Sequence, residues 1–459
     1  MLVKKRLYAD AAAATPLSPR VRGELVRLLA VYGNPGALHS EGVEARRELE
    51  AARKTIAEAV GAHPDEIVFT ASGTEGNNLA IAGVLRPLLQ AKQNSLLRRD
   101  KQALNSSAEK FASLHAITCA VEHQSVLEPL RALKREGLEL TELEVDKEGL
   151  VDPKKFAEAL RENTVFVSIQ LVNSEVGTIE PIREISKEIR QAKRSRNSRS
   201  EAKTGRSVGV TSGRVLAELP LYLHTDASQA PLWLPLAMEK LGVDLMTLDG
   251  QKVLGPKGVG VLYIKRGTKI ESVLWGGKQE FGLRGGTENA PLASAFAVAL
   301  QDAQSGVEAR AEKVTIVRDF LWSEIKRLLP DAIINGPGVG GKTETLKAPI
   351  RLGLAARSVG AGEFSSSRVA NNISVSVPGL DGEMATIAMD ARGIAVSTRS
   401  ACNIGDEEPS HVIKALGVPK YLGKTALRIT LLPNATRKDA QRIATTLFEI
   451  ANKYRTVIQ

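Results

Sequence analysis

The feature that most constrains this chain is a series of short apolar runs that end in small or polar residues. EIVFT (66–70) leads into ASGTEG, VFVSIQLV (165–172) into NSE, LYLHTD (221–226) into ASQ and DLMTLDG (244–250) into QK, and GVGVLYIK (258–265) follows. Apolar runs of this length bounded by turn signals read as strands buried on both faces. Helical periodicity lies between them, for example after Ser40, a good N-cap for GVEARRELEAARKTIAEAV. Alternating strands and helices predict an α/β fold with a largely parallel sheet, whose ligands bind beyond the carboxyl ends of its strands. A long helix over roughly 290–329 is expected to lead into a smaller C-terminal part.

Charge is uneven along the 459 residues. The total is +10, yet residues 86–114 carry six Lys/Arg against two Asp/Glu, residues 191–219 seven against two, and residues 338–369 five against two. These three stretches hold more than the whole net charge, and their pattern is weak. They read either as solvated surface insertions or as a docking face for RNA or an acidic partner. Few aromatics are interleaved, which argues against base stacking. The N-terminal KKR is followed by alanines that Tyr8, Asp10 and Pro16 interrupt, too short for a signal peptide, so a short strand and a turn are expected there. No apolar window is long enough to span a membrane. The two cysteines, Cys119 and Cys402, make no disulfide framework, and a reducing, cytoplasmic setting is expected. Cys119 lies in an apolar run and reads as a buried strand residue.

Four places carry chemistry. Gly73 and Thr74 follow a predicted strand and open a helix, which offers free N–H groups to an anion; an unliganded turn has the same pattern. Asp226 and Lys252 each sit just beyond a predicted strand. A carboxylate and an amine at adjacent strand ends suit pyridoxal phosphate, although a helix-capping aspartate and a surface lysine read equally well. His123 lies between a strand and a helix, as either a cap or a site residue. Cys402 stands in the small, polar segment STRSACNIGDEEPS with Arg399 nearby, as either a nucleophile or an idle thiol. No metal site is expected.

In order and spacing these segments resemble the cysteine desulfurases of the NifS/IscS type, in the class V aminotransferase family of pyridoxal-phosphate fold type I. The resemblance runs from LYADAAAATPLSP through GNPGALHSEG, EIVFTASGTEGNNLAI, VEHQSVLEPL, VNSEVGTIEPI, HTDASQA, GQKVLGPKGVGVLY, GLRGGTEN and STRSAC to EPSHVIKALG and ALRIT. It implies a large domain over 16–305 built on a mostly parallel seven-stranded sheet. A smaller α+β domain would comprise 1–15 and 306–459 and carry the cysteine loop, and the basic stretches would be insertions.

By the same resemblance Lys252 forms the Schiff base and Asp226 pairs with the pyridine nitrogen. His123 stacks on the ring and moves protons, and Gln229 bonds the phenolic oxygen. Gly73 and Thr74 bind the phosphate, with Thr287 reaching it from the second subunit of a homodimer. Arg428, with Asn34, holds the substrate carboxylate, and Cys402 takes the sulfur of L-cysteine as a persulfide. The acceptor would be an iron–sulfur scaffold or a tRNA-thiolation enzyme. Asp249 stands where the family has Ser or Thr, Gln251 where it has His, and TLLPN (430–434) where it has Ser-Leu-Gly-Arg. Ser174 takes a position that contacts the cofactor, with Asn173 beside it. Because a carboxylate repels a phosphate, Asp249 is expected to turn away or to be neutralised by a basic neighbour. Other readings are another class V reaction, such as a transaminase or selenocysteine lyase, a low-activity sulfur-relay scaffold, or an RNA-binding module.

Overall fold

The computed structural model describes residues 6–98, 113–204, 219–339, 367–398 and 408–455. Cys402, Arg399 and the central parts of the three basic stretches lie outside them.

The N-terminal strand β1 (Leu7–Tyr8) is followed by the strands of the main sheet. These are β2 (Ile67–Thr70), β3 (Leu114–Cys119), β4 (Leu138–Leu143), β5 (Thr164–Ser168), β6 (Tyr222–Asp226), β7 (Leu245–Asp249) and β8 (Gly260–Ile264). Their order across the sheet is β2-β8-β7-β6-β5-β3-β4. All neighbours are parallel except β8, which runs against both β2 and β7. Helices cover both faces, so β2, β3, β5, β7 and β8 are buried along their whole length and are apolar rather than alternating. From β3 the chain moves one way to β4 and the other way to β5, β6 and β7. That reversal opens a crevice beyond the carboxyl ends of β3 and β5, where a ligand of an open α/β sheet is held.

A three-stranded antiparallel sheet orders β12 (Ala426–Thr430), β10 (Asn372–Ser376) and β9 (Ile333–Ile334), and β1 pairs in parallel with β11 (Ile394–Ala395). The N-terminal segment therefore leaves the C-terminal part of the molecule and crosses to the main sheet. One apolar cluster spans both regions, and a second fills the other face of the main sheet around Val68, Leu85, Phe166 and Leu262.

Two expectations need correction. The helix expected over 290–329 is two, Ala290–Gln304 and Val307–Leu328, because Gly306 takes a left-handed φ of 62° that ends one and starts the next. The first two basic stretches begin within long helices. The helix Gly73–Arg98 runs through Pro87, and the helix Ile182–Thr204 continues well past its buried residues Ile182, Ile185 and Ile189. Arg368, in the third stretch, is 2% exposed and donates to the carbonyls of Val176, Asn335 and Pro337. Cys119 is fully buried in β3, and burial drives its thiol pKa well up.

Candidate active site

The residues with chemistry meet at one edge of the main sheet. Strand β7 ends at Asp249, and the tight turn Gly250–Lys252 carries the lysine away from it. The N-terminal segment straps that turn. Lys252 Nζ donates to the carbonyls of Ala12 (2.9 Å) and Ala13 (2.6 Å), and Thr15 donates to the Gln251 carbonyl. Leu254 adopts a left-handed φ of 62°, costing on the order of 1 kcal/mol. Its N–H donates to Thr15 Oγ1, and its carbonyl accepts from Ser18 N–H. Burial pulls the Lys252 pKa below its ordinary value; Asp249 opposes this and Arg428 adds to it. A neutral amine fraction is what nucleophilic lysine chemistry needs. Gln229 Nε2 donates to the same Ala12 carbonyl, which sets it beside Lys252.

Asp226 ends β6, and both of its carboxylate oxygens are engaged. Oδ1 accepts from Ser228 N–H at 2.9 Å and Oδ2 from Asn77 Nδ2 at 2.7 Å. Asn77 also donates to Ser125 Oγ, which lies 2.7 Å from His123 Nδ1. The Ser125 backbone N–H points at the same ring nitrogen as the cap of the helix Gln124–Arg135, so Nδ1 is an acceptor and neutral His123 carries its proton on Nε2. Burial lowers the His123 pKa, with Asp226 opposing and Lys252 and His411 adding to the effect. His411 donates from Nε2 to the Glu122 carbonyl, and Ser410 bonds Glu175, so the chain just after the cysteine segment is tied to this cluster.

The start of the helix Gly73–Arg98 forms a cradle. The amide of Glu75 bonds Ser72 Oγ and that of Gly76 the Ser72 carbonyl; among the described residues those of Gly73 and Thr74 have no acceptor. A Cβ on Gly73 would come within 3.1 Å of both Ser228 Oγ and Asp249 Cβ, so glycine is what lets those side chains close on the helix end. Ser228 is 8% exposed and its Oγ has no hydrogen-bond partner. Free amides, a positive helix end and an orphaned hydroxyl fit an oxyanion such as the cofactor phosphate. Asp249 does not turn away; its charge and that of Lys252 act on each other, and among the described residues it forms no ion pair. Its Oδ2 lies 3.3 Å from the Gly73 Cβ position, and its carboxylate accepts from Gln251 N–H and Nε2, both at 3.1 Å.

Arg428 on β12 is 3% exposed. It pairs with Asp10 (2.8 Å) and donates to the Ser174 carbonyl, while its Nε has no partner. The Asn173 amide is committed to backbone: Nδ2 to the Val121 carbonyl, Oδ1 to the N–H groups of Glu175 and Val176. Thr430, where the chain departs from Ser-Leu-Gly-Arg, accepts from Ala12 N–H and so holds the strap. Asn34 is exposed and caps its own turn at Gly36, and Thr287 is exposed on the loop before the helix Ala290–Gln304. No described contact joins either to the cluster. Sequence reasoning passed over Asn77, Ser125, Ser228, Asp10 and His411. Asn77 had a signal, standing one helical turn after Gly73 on the same face.

The class V aminotransferase family profile matches residues 7–114, 102–195 and 213–337. The cysteine desulfurase IscS of Dictyoglomus turgidum is 36% identical over 99% of this chain and 97% of its own, and that of Methanosarcina thermophila 33% identical over 99% and 94%. A solved structure titled NifS-like protein superposes with a TM-score of 0.75 at 28% identity, covering 98% of this chain and all of the other. The strand-end lysine, aspartate and histidine, the helix-end cradle and these full-length likenesses agree: the chain belongs to the class V aminotransferase family, among its cysteine desulfurases.

Proposed function

We propose that this protein removes sulfur from L-cysteine with pyridoxal phosphate, leaves alanine, and receives the sulfur on Cys402 as a persulfide. The observation that carries the reading is the convergence of a strapped, partly buried Lys252 with Asp226 and His123 beside an oxyanion cradle. When bound, the cofactor supplies an electron sink for the bonds of the substrate's Cα. Lys252, its proton affinity lowered by burial, takes the Cα proton. Asp226, oriented by Ser228 N–H and Asn77, holds a proton at the ring nitrogen. His123 donates a proton from Nε2. Arg428 offers the substrate carboxylate a buried guanidinium that Asp10 holds in place.

Homodimer formation is part of the proposal. Trp275 (87% exposed) and Phe281 (58%) flank the loop that ends at Thr287, and Tyr32 and Leu38 are similarly uncovered. A second copy that buries these rings would bring Thr287 to its partner's cradle. The persulfide sulfur would pass in the cytoplasm to an iron–sulfur scaffold or a tRNA-thiolation enzyme. Purified protein loaded with pyridoxal phosphate is expected to form alanine from L-cysteine; no cofactor uptake, or uptake without alanine, would refute the reading.

A further inference from the structure

The cradle at the helix Gly73–Arg98 has one acceptor among its donors. The Gly73 and Thr74 amides and the Ser228 hydroxyl are free to donate, while Asp249 Oδ2 faces the same glycine and can only accept when ionised. No Lys or Arg nitrogen among the described residues lies within ion-pair distance of Asp249. The charged groups on surrounding elements are engaged. Lys252 adds its field while donating to Ala12 and Ala13, Asp226 on β6 is held by Ser228 N–H and Asn77, and Glu75 bonds Ala71 N–H and Arg284. Strand β8 presents no charged residue.

An oxyanion without a proton meets the Asp249 carboxylate as two acceptors face to face. One that carries a proton satisfies it, donating its own O–H to Oδ2 while its other oxygens take the amides and the hydroxyl. We propose that this subsite selects a protonated oxyanion: the phosphate of the cofactor binds with one proton, shared with Asp249, and an anion with no proton is rejected. Gln251 belongs to the same device, because its N–H and Nε2 fix the carboxylate with Oδ2 beside Gly73. The proposal rests on the cofactor reading above only for its natural ligand; the anion selectivity is a property of the cradle itself.

Inorganic phosphate and sulfate provide the test. At about pH 8 both are dianions of similar size, but only phosphate carries a proton. Cofactor-free full-length protein is titrated with each, followed by calorimetry and by the slowing of pyridoxal-phosphate uptake. Phosphate is expected to bind at least about tenfold tighter than sulfate, since a site built around a ligand O–H rejects the analogue that lacks it. Asp249→Asn, whose amide can donate, is expected to bring the two within about twofold. It should also remove the part of the pyridoxal-phosphate affinity that falls as pH rises above about 6, where a phosphate monoester loses its second proton. Equal binding of sulfate and phosphate by the unaltered protein would overturn the proposal, and that comparison stands even if Asp249→Asn does not fold. Phosphate selectivity without any pyridoxal-phosphate uptake would support the proposal while refuting the cofactor reading.

Discussion

The two ends of the active site are prepared in opposite ways. At the ring end the bonds are made in advance: Lys252 is strapped to the Ala12 and Ala13 carbonyls, and Asp226 is joined through Asn77 and Ser125 to His123. At the phosphate end the donors are left open: the Gly73 and Thr74 amides and Ser228 Oγ wait opposite an acceptor, Asp249. Groups that move protons must be oriented before the ligand arrives, because misplacement costs rate. Groups that bind an anion gain by being unsatisfied until it arrives, because only then does the ligand add hydrogen bonds without displacing others.

The largest effect should come from the ring end. Lys252→Ala is expected to lower turnover by about a thousandfold or more and to remove the visible absorption of lysine-bound cofactor; unchanged absorption would place the attachment elsewhere. Asn77→Leu should break the bond to Asp226 and leave Ser125 Oγ without its donor. A stability loss of about 1–3 kcal/mol is expected in denaturant melts of cofactor-free protein, with turnover falling roughly tenfold or more. Ser228→Ala makes the opposite case. Its hydroxyl has no partner, so the same melts should change by less than about 0.5 kcal/mol, while the dissociation constant for pyridoxal phosphate rises about tenfold. If both substitutions destabilise the cofactor-free protein equally, the contrast between the two ends is wrong.

The smallest effect concerns the buried acids behind the site. Burial raises the Glu180 pKa to about 8, and Glu122 is driven up for the same first reason. A raised carboxylate pKa means the folded state holds the extra proton, so this stability is present at low pH and is lost as pH rises towards about 8. Buried His115 and His224 have pKa values lowered to about 4 from 6.5, the opposite sign, and favour folding increasingly as pH rises through that range. The two effects oppose each other below about pH 6.5. Above it, of these four groups only the acids act, and their contribution should lower the melting temperature towards about pH 8. Glu180→Gln is expected to lessen that fall by the equivalent of roughly 1 kcal/mol, with neither end of the site disturbed. An unchanged slope would show that Glu180 holds no proton there.

Much of the ring end was legible in sequence, because Asp226 is the residue at which one apolar strand stops and Lys252 lies in the turn just beyond another. Asn77, Ser125 and Ser228 were not. They acquire meaning only when the order β2-β8-β7-β6-β5-β3-β4 brings residues about 150 apart in the chain to one edge. The direction of Asp249 was left open for a related reason: Gln251, two residues on, fixes the carboxylate towards Gly73. The secondary structure of the basic stretches was not legible, because charge does not distinguish a loop from the solvated end of a helix, as in Ile182–Thr204. Arg368 shows the same limit, since a lone arginine in sequence gives no sign of the carbonyls that bury it.

The central claim is that this edge takes sulfur from cysteine and hands it to Cys402. A single turnover of cofactor-loaded protein with L-cysteine, without reductant, followed by mass analysis of the peptide that contains Cys402, tests it most directly. The account predicts alanine in equal amount to one added sulfur on Cys402, and neither the added sulfur nor continued turnover in Cys402→Ser. Alanine formation that persists in Cys402→Ser, with no sulfur found on Cys402 in the unaltered protein, would contradict it.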